Sequence, residues 1–257
     1  MNQSRRIIRD NNSLRAQYDS LSNGDIIIGR IRVRPLEEAL LLDLVERGVK
    51  IFPSARAQLA GRSKTFQALL LLSFMLPHTR VVHDIHDLLR VLNYYGESGI
   101  SRVVTKQDRS NAGMGIHLWH SIEDVYSQAS LGVLPFPFVV QPFCSGSSDI
   151  RVILLGDYVE AYQRKNPHNF RNNLHFGGKS ERCDLSGKQM SLCSKIMERA
   201  GFPYAHIDLM VTEHNETYLA EINLRGGIKG AGISPAEYKI KIEAIHETAL
   251  KAFLTGQ

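Results

Sequence analysis

Cysteine is scarce. Only Cys144, Cys183 and Cys193 occur in 257 residues, an odd number with no short paired spacing. That set excludes a disulfide framework and a zinc site, and leaves ordinary reduced thiols. Long apolar runs are lacking too. The longest, 68–76, is broken by Ser73 and ended by Pro77, about half of the ~20 residues a spanning helix needs. Arg5, Arg6, Arg9 and Arg15 crowd the N-terminus, with no apolar block or small-residue cleavage site after them. No secretory signal is therefore read, no membrane partner is expected, and the expected compartment is the cytoplasm. Internal repeats, low-complexity segments and blocks of five like charges are also missing. No Gly-x-Ser-x-Gly elbow is present and no cysteine lies near an obvious base, which argues against a protein nucleophile.

The remainder is ordinary folded-protein composition: 43% apolar, 22% charged. The net charge of +5 and a pI near 9.1 suit a polyanionic substrate such as ATP as well as a nucleic acid. Without aromatic-basic interleaving or a recognition helix, no nucleic-acid partner is expected. The sequence leaves a homo-oligomer open.

Residues 1–24 read as an irregular arm or a short helix. A buried strand is predicted at 25–31 (DIIIGRI), a helix at 36–47 with leucines at 36, 40, 41 and 44, and a strand at 49–52 closed by Pro53. Together they predict a small βαβ remnant. Further helices are predicted at 63–76, 85–95, 122–129, 187–200 and 235–254, with 79–82 extended. Strands are predicted at 103–106, 116–119, 138–141, 150–155, 158–164, 207–211 and 217–222. The fold class is α+β, mostly antiparallel in the second half.

Four stretches carry chemistry. Asp208 stands in the apolar run Ile207-Asp208-Leu209, and Glu221 and Asn223 follow a hairpin later. Residues two apart on a strand share a face, so pairing of the two strands gathers three oxygen donors, a set that suits magnesium. Solvent-facing alternation is the other reading. Lys106 ends a strand before Ser110-Asn111-Ala112-Gly113-Met114-Gly115, a way to hold phosphates with a point charge and backbone N–H groups, or else a plain hairpin turn. No Gly-Lys-Ser/Thr completes that loop as a Walker motif. Residues 138–143 can present backbone groups to a base, and Asp149 can take ribose hydroxyls, unless the stretch is core. Arg164 and the 170–179 run (FRNNLHFGGK) can contact an anion, or form a solvated loop.

In this order the pieces resemble the ATP-grasp superfamily, and within it the RimK-like branch of carboxylate–amine ligases. Lys106 with its loop, Val140-Gln141, Asp149-Ile150-Arg151, the FRNNLHFGGK run, Ile207-Asp208-Leu209, Glu221-Ile222-Asn223 and Gly227–Gly230 carry it, over roughly 60–257. The resemblance implies two α+β subdomains, 61–137 and 138–257, clamping ATP behind a reduced N-terminal α/β segment at 1–60. It puts phosphate lysines at Lys64 and Lys106, the adenine hinge at Val140 and Gln141, and the ribose carboxylate at Asp149. A nucleotide-side cluster falls on Arg171, Asn172 and Asn173. Asp208, Glu221 and Asn223 become ligands for Mg2+, with Mn2+ as a substitute.

Such ligases phosphorylate a carboxylate with ATP, and an amine then attacks the acylphosphate to give an amide. The partners implied are a small-molecule, peptide or protein carboxylate acceptor and an amine or amino-acid donor, with Arg164 and Arg171 neutralising the transferring phosphoryl group. Related functions on such a fold are a kinase that forms no amide and a non-catalytic ATP-binding regulator. The chain departs from the branch at Leu224-Arg225-Gly226-Gly227, where Ser-Pro-Gly usually follows the metal asparagine, and at Pro142, where the hinge usually has an acid.

Overall fold

A computed structural model describes residues 5–110 and 113–256. Asn111 and Ala112 of the small-residue loop lie outside the described residues. The chain opens with strand β1 (Ile7–Ile8), helix α1 (Asn11–Gln17), β2 (Ile26–Ile28), α2 (Glu38–Glu46), β3 (Lys50–Phe52) and α3 (Ala55–Ala60). Next come α4 (Lys64–Leu71), β4 (Arg80–Val82), α5 (Ile85–Glu97), β5 (Val103–Gln107), β6 (Ile116–Trp119), α6 (Ile122–Ser130) and β7 (Phe138–Pro142). The last part holds β8 (Ser148–Leu155), β9 (Tyr158–Lys165), β10 (Lys179–Arg182), α7 (Gly187–Ala200), β11 (Tyr204–Val211), β12 (Thr217–Asn223) and α8 (Pro235–Thr255).

These strands form three sheets. A three-stranded sheet, β1-β2-β3, is parallel throughout. A four-stranded sheet runs β4-β7-β5-β6 and a five-stranded sheet β10-β9-β8-β11-β12, both antiparallel. The α+β reading with an antiparallel second half therefore holds. Helices α5 and α6 cover the four-stranded sheet, burying Leu88, Tyr95 and Val125 against Val103, Phe138 and Val140. Under the five-stranded sheet, Val152 and Leu154 of β8 and Ala205, Ile207 and Leu209 of β11 share one core with Ala60, Ala68 and Leu71 of α3–α4 and Cys193 and Ile196 of α7. At roughly 25 cal/mol per Å2 of apolar surface, burying each such aliphatic side chain contributes about 1.5–3 kcal/mol.

Several boundaries differ from the sequence expectation. The helix expected at 63–76 stops at Leu71 and tightens to a 3-10 turn at Leu72–Phe74, with Ser63 capping its start by accepting from the Phe66 amide. Leu36 lies outside the expected 36–47 helix, at φ +70° and 94% exposed, so Leu41 and Leu44 alone anchor α2. The N-terminal arm is ordered as β1 and α1, and Asp10 caps α1 through the Asn12 and Ser13 amides. Helix α8 crosses from the N-terminal sheet to the five-stranded one: Leu250 and Phe253 pack on Ile26, Ile28 and Phe52, while Tyr238, Ile242 and Ile245 join the larger core.

Candidate active site

Register places the candidate residues. On the hairpin β11–β12, Asp208 faces Glu221 and His206 faces Asn223, so all four side chains share one face of the sheet. A bulge after Asp208 leaves Ala220 without a Cα partner on β11. On the other side of β11, Arg151 of β8 lies opposite Asp208, and Asp149 pairs with Arg164 of β9. Alternation sends these polar residues to one face and the apolar residues between them to the core.

The centre is a buried ion network. Arg151 grips Asp208 with two parallel bonds, Nε to Oδ1 and Nη2 to Oδ2, both 2.7 Å. Arg164 reaches Asp149 Oδ1 at 2.5 Å and Asp208 Oδ2 at 3.0 Å. Burial alone would raise the Asp208 carboxyl; the Arg151 and Arg164 guanidiniums outweigh it and hold the group well below the usual carboxylate range. For Asp149 the balance is reversed: burial, with Asp208 adding to it, pushes the carboxyl up to about 6 despite Arg164.

Two lysines from other elements converge on consecutive residues of β12. Lys64, at the start of α4, lies 3.4 Å from Glu221 Oε1 and also donates to the Ser110 carbonyl. Lys106, from β5, donates to the Ala220 carbonyl at 3.1 Å. Burial, aided by Lys64, lowers the Lys106 ammonium to about 8 even with Glu221 nearby. Gln67, one turn after Lys64, donates to the Ile222 carbonyl at 2.8 Å and accepts from its amide at 3.0 Å, which locks α4 to β12.

The arginine-asparagine loop closes over the small-residue loop. Arg171 donates to the carbonyls of Gly113 (3.2 Å) and Ile116, stacked between Phe170 and Phe176. Asn173 packs so tightly on Gly113, at φ +76°, that a Cβ there would lie 2.5 Å from its Nδ2. Asn172 accepts from the Asn166 amide and holds the loop's own turn. Arg171 and Asn173 thus meet the small-residue loop, while Asn172 bonds within its own loop. Val140 and Gln141 sit buried in β7 between β4 and β5, and Tyr95 donates to the Val140 carbonyl at 3.4 Å.

Three residues near the site were not singled out from sequence. His206 is buried and shares a 3.0 Å hydrogen bond with Tyr238 of α8 through Nε2, while its Nδ1 has no partner among the described residues. Burial lowers its imidazole to about 4, with Arg151 acting in the same direction. Gly226 passes over the ring so closely that a Cβ would come within 2.6 Å of Nδ1. Glu160 accepts from the Gly232 and Ile233 amides and fixes the loop after β12. Arg151 appeared only as part of a motif, not as the partner of Asp208. Isolated charges in apolar strands were the available signal, since a buried charge demands a partner.

The donor set is chemically suited to Mg2+: two carboxylates and an amide offer hard oxygen atoms on one face of the sheet. Among the described residues, no group of three or more His, Cys, Asp or Glu side chains is placed to hold a metal ion. Four cations (Lys64, Lys106, Arg151, Arg164) stand around three carboxylates (Asp149, Asp208, Glu221), a surplus that suits polyphosphate.

Fold and site together define an ATP-grasp architecture. The RimK-like ATP-grasp domain matches residues 60–247. The chain belongs to that family. Among curated relatives it is 29% identical over 161 residues to the probable alpha-L-glutamate ligase of Trichodesmium erythraeum, covering 60% of this chain and 52% of that protein. It is 26% identical over 162 residues to the glutathione synthetase of Agrobacterium fabrum, covering 58% and 47%. The chain spans about half the length of the curated relatives it matches. Among solved structures, D-cycloserine synthetase DcsG superposes with a TM-score of 0.64 at 13% identity, covering 95% of this chain and 99% of that one. The ATP-grasp ligase PsnB, in complex with a minimal precursor variant, Mg and ADP, gives 0.55 at 20% identity, covering 82% and 68%. These likenesses show the fold. No helix among the described residues is long and apolar enough to cross a membrane.

Proposed function

We propose that the chain is an ATP-dependent carboxylate–amine ligase that activates its acceptor as an acylphosphate. The observation that carries this reading is the convergence of Lys64 and Lys106, from separate elements, on residues 220–221 of the strand that also bears Asn223. Lys64 and Lys106 hold the ATP phosphates; as they do, Lys64 exchanges its contact with Glu221 for a phosphate oxygen. Mg2+, with Mn2+ as a substitute, would be held by Asp208, Glu221 and Asn223 and would neutralise the phosphate oxygens. Arg164 and Arg171 counter charge on the transferring group, Arg171 by holding the small-residue loop over it. Val140 and Gln141 bound the adenine, Asp149 faces the ribose, and Asn172 and Asn173 keep the covering loop in shape. The first subdomain is taken as 61–137, the second as 138–257.

The amine then attacks the activated carbonyl, forming the C–N bond and releasing phosphate. Relatives named as glutamate ligases make L-glutamate the first amine donor to try. The test is mass spectrometry of products with ATP, Mg2+, amino acids and a panel of carboxylates. An amide with ADP and phosphate in equal amounts supports the reading. A stable phosphorylated acceptor, or no nucleotide turnover with any pair, overturns it.

A further inference from the structure

The N-terminal sheet carries a basic cleft that the ATP site does not use. It encloses about 600 Å3 and is lined by Asn11, Asn12, Arg15, Arg32, Arg34 and Arg62. Asp10 is the one acid on its wall, and that carboxylate is held by the Asn12 and Ser13 amides and the Ser13 hydroxyl. A smaller cleft of about 210 Å3 shares Val33 and Arg62 with it and runs to Ser63, the cap of α4 beside Lys64. The lining segments follow the C-terminal ends of parallel strands β1 and β2, the edge of an α/β sheet where ligands collect.

Arg15 and Arg34 share Glu37, but among the described residues Arg30, Arg32, Arg62 and Arg225 make no ion pair. Arg30 stands close enough to Arg225, Arg32 and Arg62 for each to lower its guanidinium, after burial, and Arg32 likewise lowers that of Arg62. Like charges gathered this way cost free energy unless an anion joins them. Arg225 follows Asn223 by two residues, so the group leads from the cleft to the metal-ligand edge of β12.

We propose that this cleft and the Arg30–Arg225 group bind the remote end of a polyanionic acceptor, a peptide segment with at least two carboxylates besides the one activated. The inference rests on the ligase reading for the word acceptor; the binding itself does not. The cleft holds the distal carboxylates through Arg32 and Arg62, while Arg30 and Arg225 guide the reacting end toward Asn223. A free amino acid lacks the second anchor and is a poor acceptor.

The test uses the full chain with two peptides of equal length, tetraglutamate and a version with one glutamate and three glutamines. In R32Q/R62Q, KM for tetraglutamate rises about tenfold, as expected for losing charge-assisted contacts of about 1.5 kcal/mol or more. Its kcat, and the KM for the one-glutamate peptide, stay within twofold, and Mg-ATP affinity is unchanged. Anisotropy of labelled tetraglutamate, measured without ATP, gives the same loss of affinity and a shallower salt dependence. If R32Q/R62Q does not fold, R32K/R62K keeps the charge, and the salt dependence of tetraglutamate binding to the wild type decides. Tetraglutamate binding that R32Q/R62Q weakens, with no amide from any donor, overturns the ligase reading and leaves the cleft standing. Equal use of both peptides, or tetraglutamate binding that ignores salt and R32Q/R62Q, overturns the cleft while the ligase reading stands. So does a short single-stranded oligonucleotide that binds more tightly than tetraglutamate and displaces it.

Discussion

Gln67 holds both backbone groups of Ile222, accepting from its amide at 3.0 Å and donating to its carbonyl at 2.8 Å. A side chain thereby replaces the neighbouring strand that β12, at the sheet edge, does not have. The clasp also sets where Lys64 stands relative to Glu221, since each lies within three residues of a clasp partner. Substituting Q67L leaves the Ile222 amide and carbonyl and the Ala60 carbonyl without partners in a buried setting. A loss of about 3 kcal/mol is expected, because a buried unsatisfied group costs about 1–3 kcal/mol. Urea unfolding measures it; an unchanged midpoint would mean that the clasp does not hold the helix.

Lys106 separates binding from stability. Its half-buried ammonium sits near Lys64 and, among the described residues, has only the Ala220 carbonyl as a hydrogen-bond partner. Replacement by methionine removes a desolvated charge, so the unfolding midpoint of K106M should stay level or rise. Mg-ATP affinity should fall roughly ten- to a hundredfold, the equivalent of a charged hydrogen bond of about 1.5–3 kcal/mol. Calorimetric titration and a melt on the same sample check both signs. A destabilised protein with normal ATP affinity would contradict the assignment.

His206 should make the fold sensitive to mild acid. Its imidazole is lowered from 6.5 to about 4 by burial and by Arg151. Between those values the unfolded chain takes up a proton that the folded chain refuses, so stability declines as pH falls from 6.5 toward 4. Above 6.5 this contribution is complete; across the window it amounts to about 3 kcal/mol. H206Q, which can still bond Tyr238, should flatten that part of the curve. Urea midpoints at pH 7 and 4.5 for both proteins give the comparison, and parallel curves would refute it.

Arg171 fastens two loops. Loss of its guanidinium in R171A frees the Gly113 and Ile116 carbonyls and removes the cation that rests on the Phe170 and Phe176 rings. The 166–178 loop should then open at least about tenfold more often. Limited trypsin digestion at Lys165 or Lys179 reads this directly. Cleavage at the wild-type rate would show that the loop is held elsewhere.

Much of this was legible in the chain itself. The strands at 103–107, 116–119, 148–155, 158–165, 204–211 and 217–223 announce themselves by apolar runs with glycine or polar breaks. Asp208, Glu221 and Asn223 stood out in the sequence because polar groups in such runs need a reason. What stayed hidden depends on register. Arg151 and Arg164 meet Asp208 only because β8 lies between β9 and β11, and no local pattern encodes which strands are neighbours. Strand β10, Lys-Ser-Glu-Arg, has no apolar alternation and exists as a backbone partner for β9. Helix α3 is six residues of mostly alanine and leucine, too short to display a period. The arginines of the basic cleft are scattered from Arg15 to Arg62 in the sequence, and only folding collects them.

Helix α8 ties the two ends of the described chain together. Ile26 and Ile28 lie against Leu250 and Phe253, Arg9 pairs with Glu247 at 2.7 Å, and Arg5 donates to the Phe253 and Leu254 carbonyls. On a ribosome, chain grows from the N-terminus at roughly 5–20 residues per second. The β1–β3 sheet therefore waits about ten seconds or more, with its isoleucines uncovered, until the segment around residue 250 has left the exit tunnel. Strands made early are covered by a helix made much later, and a nascent chain stalled before that helix would present an apolar face to whatever chaperone is nearest.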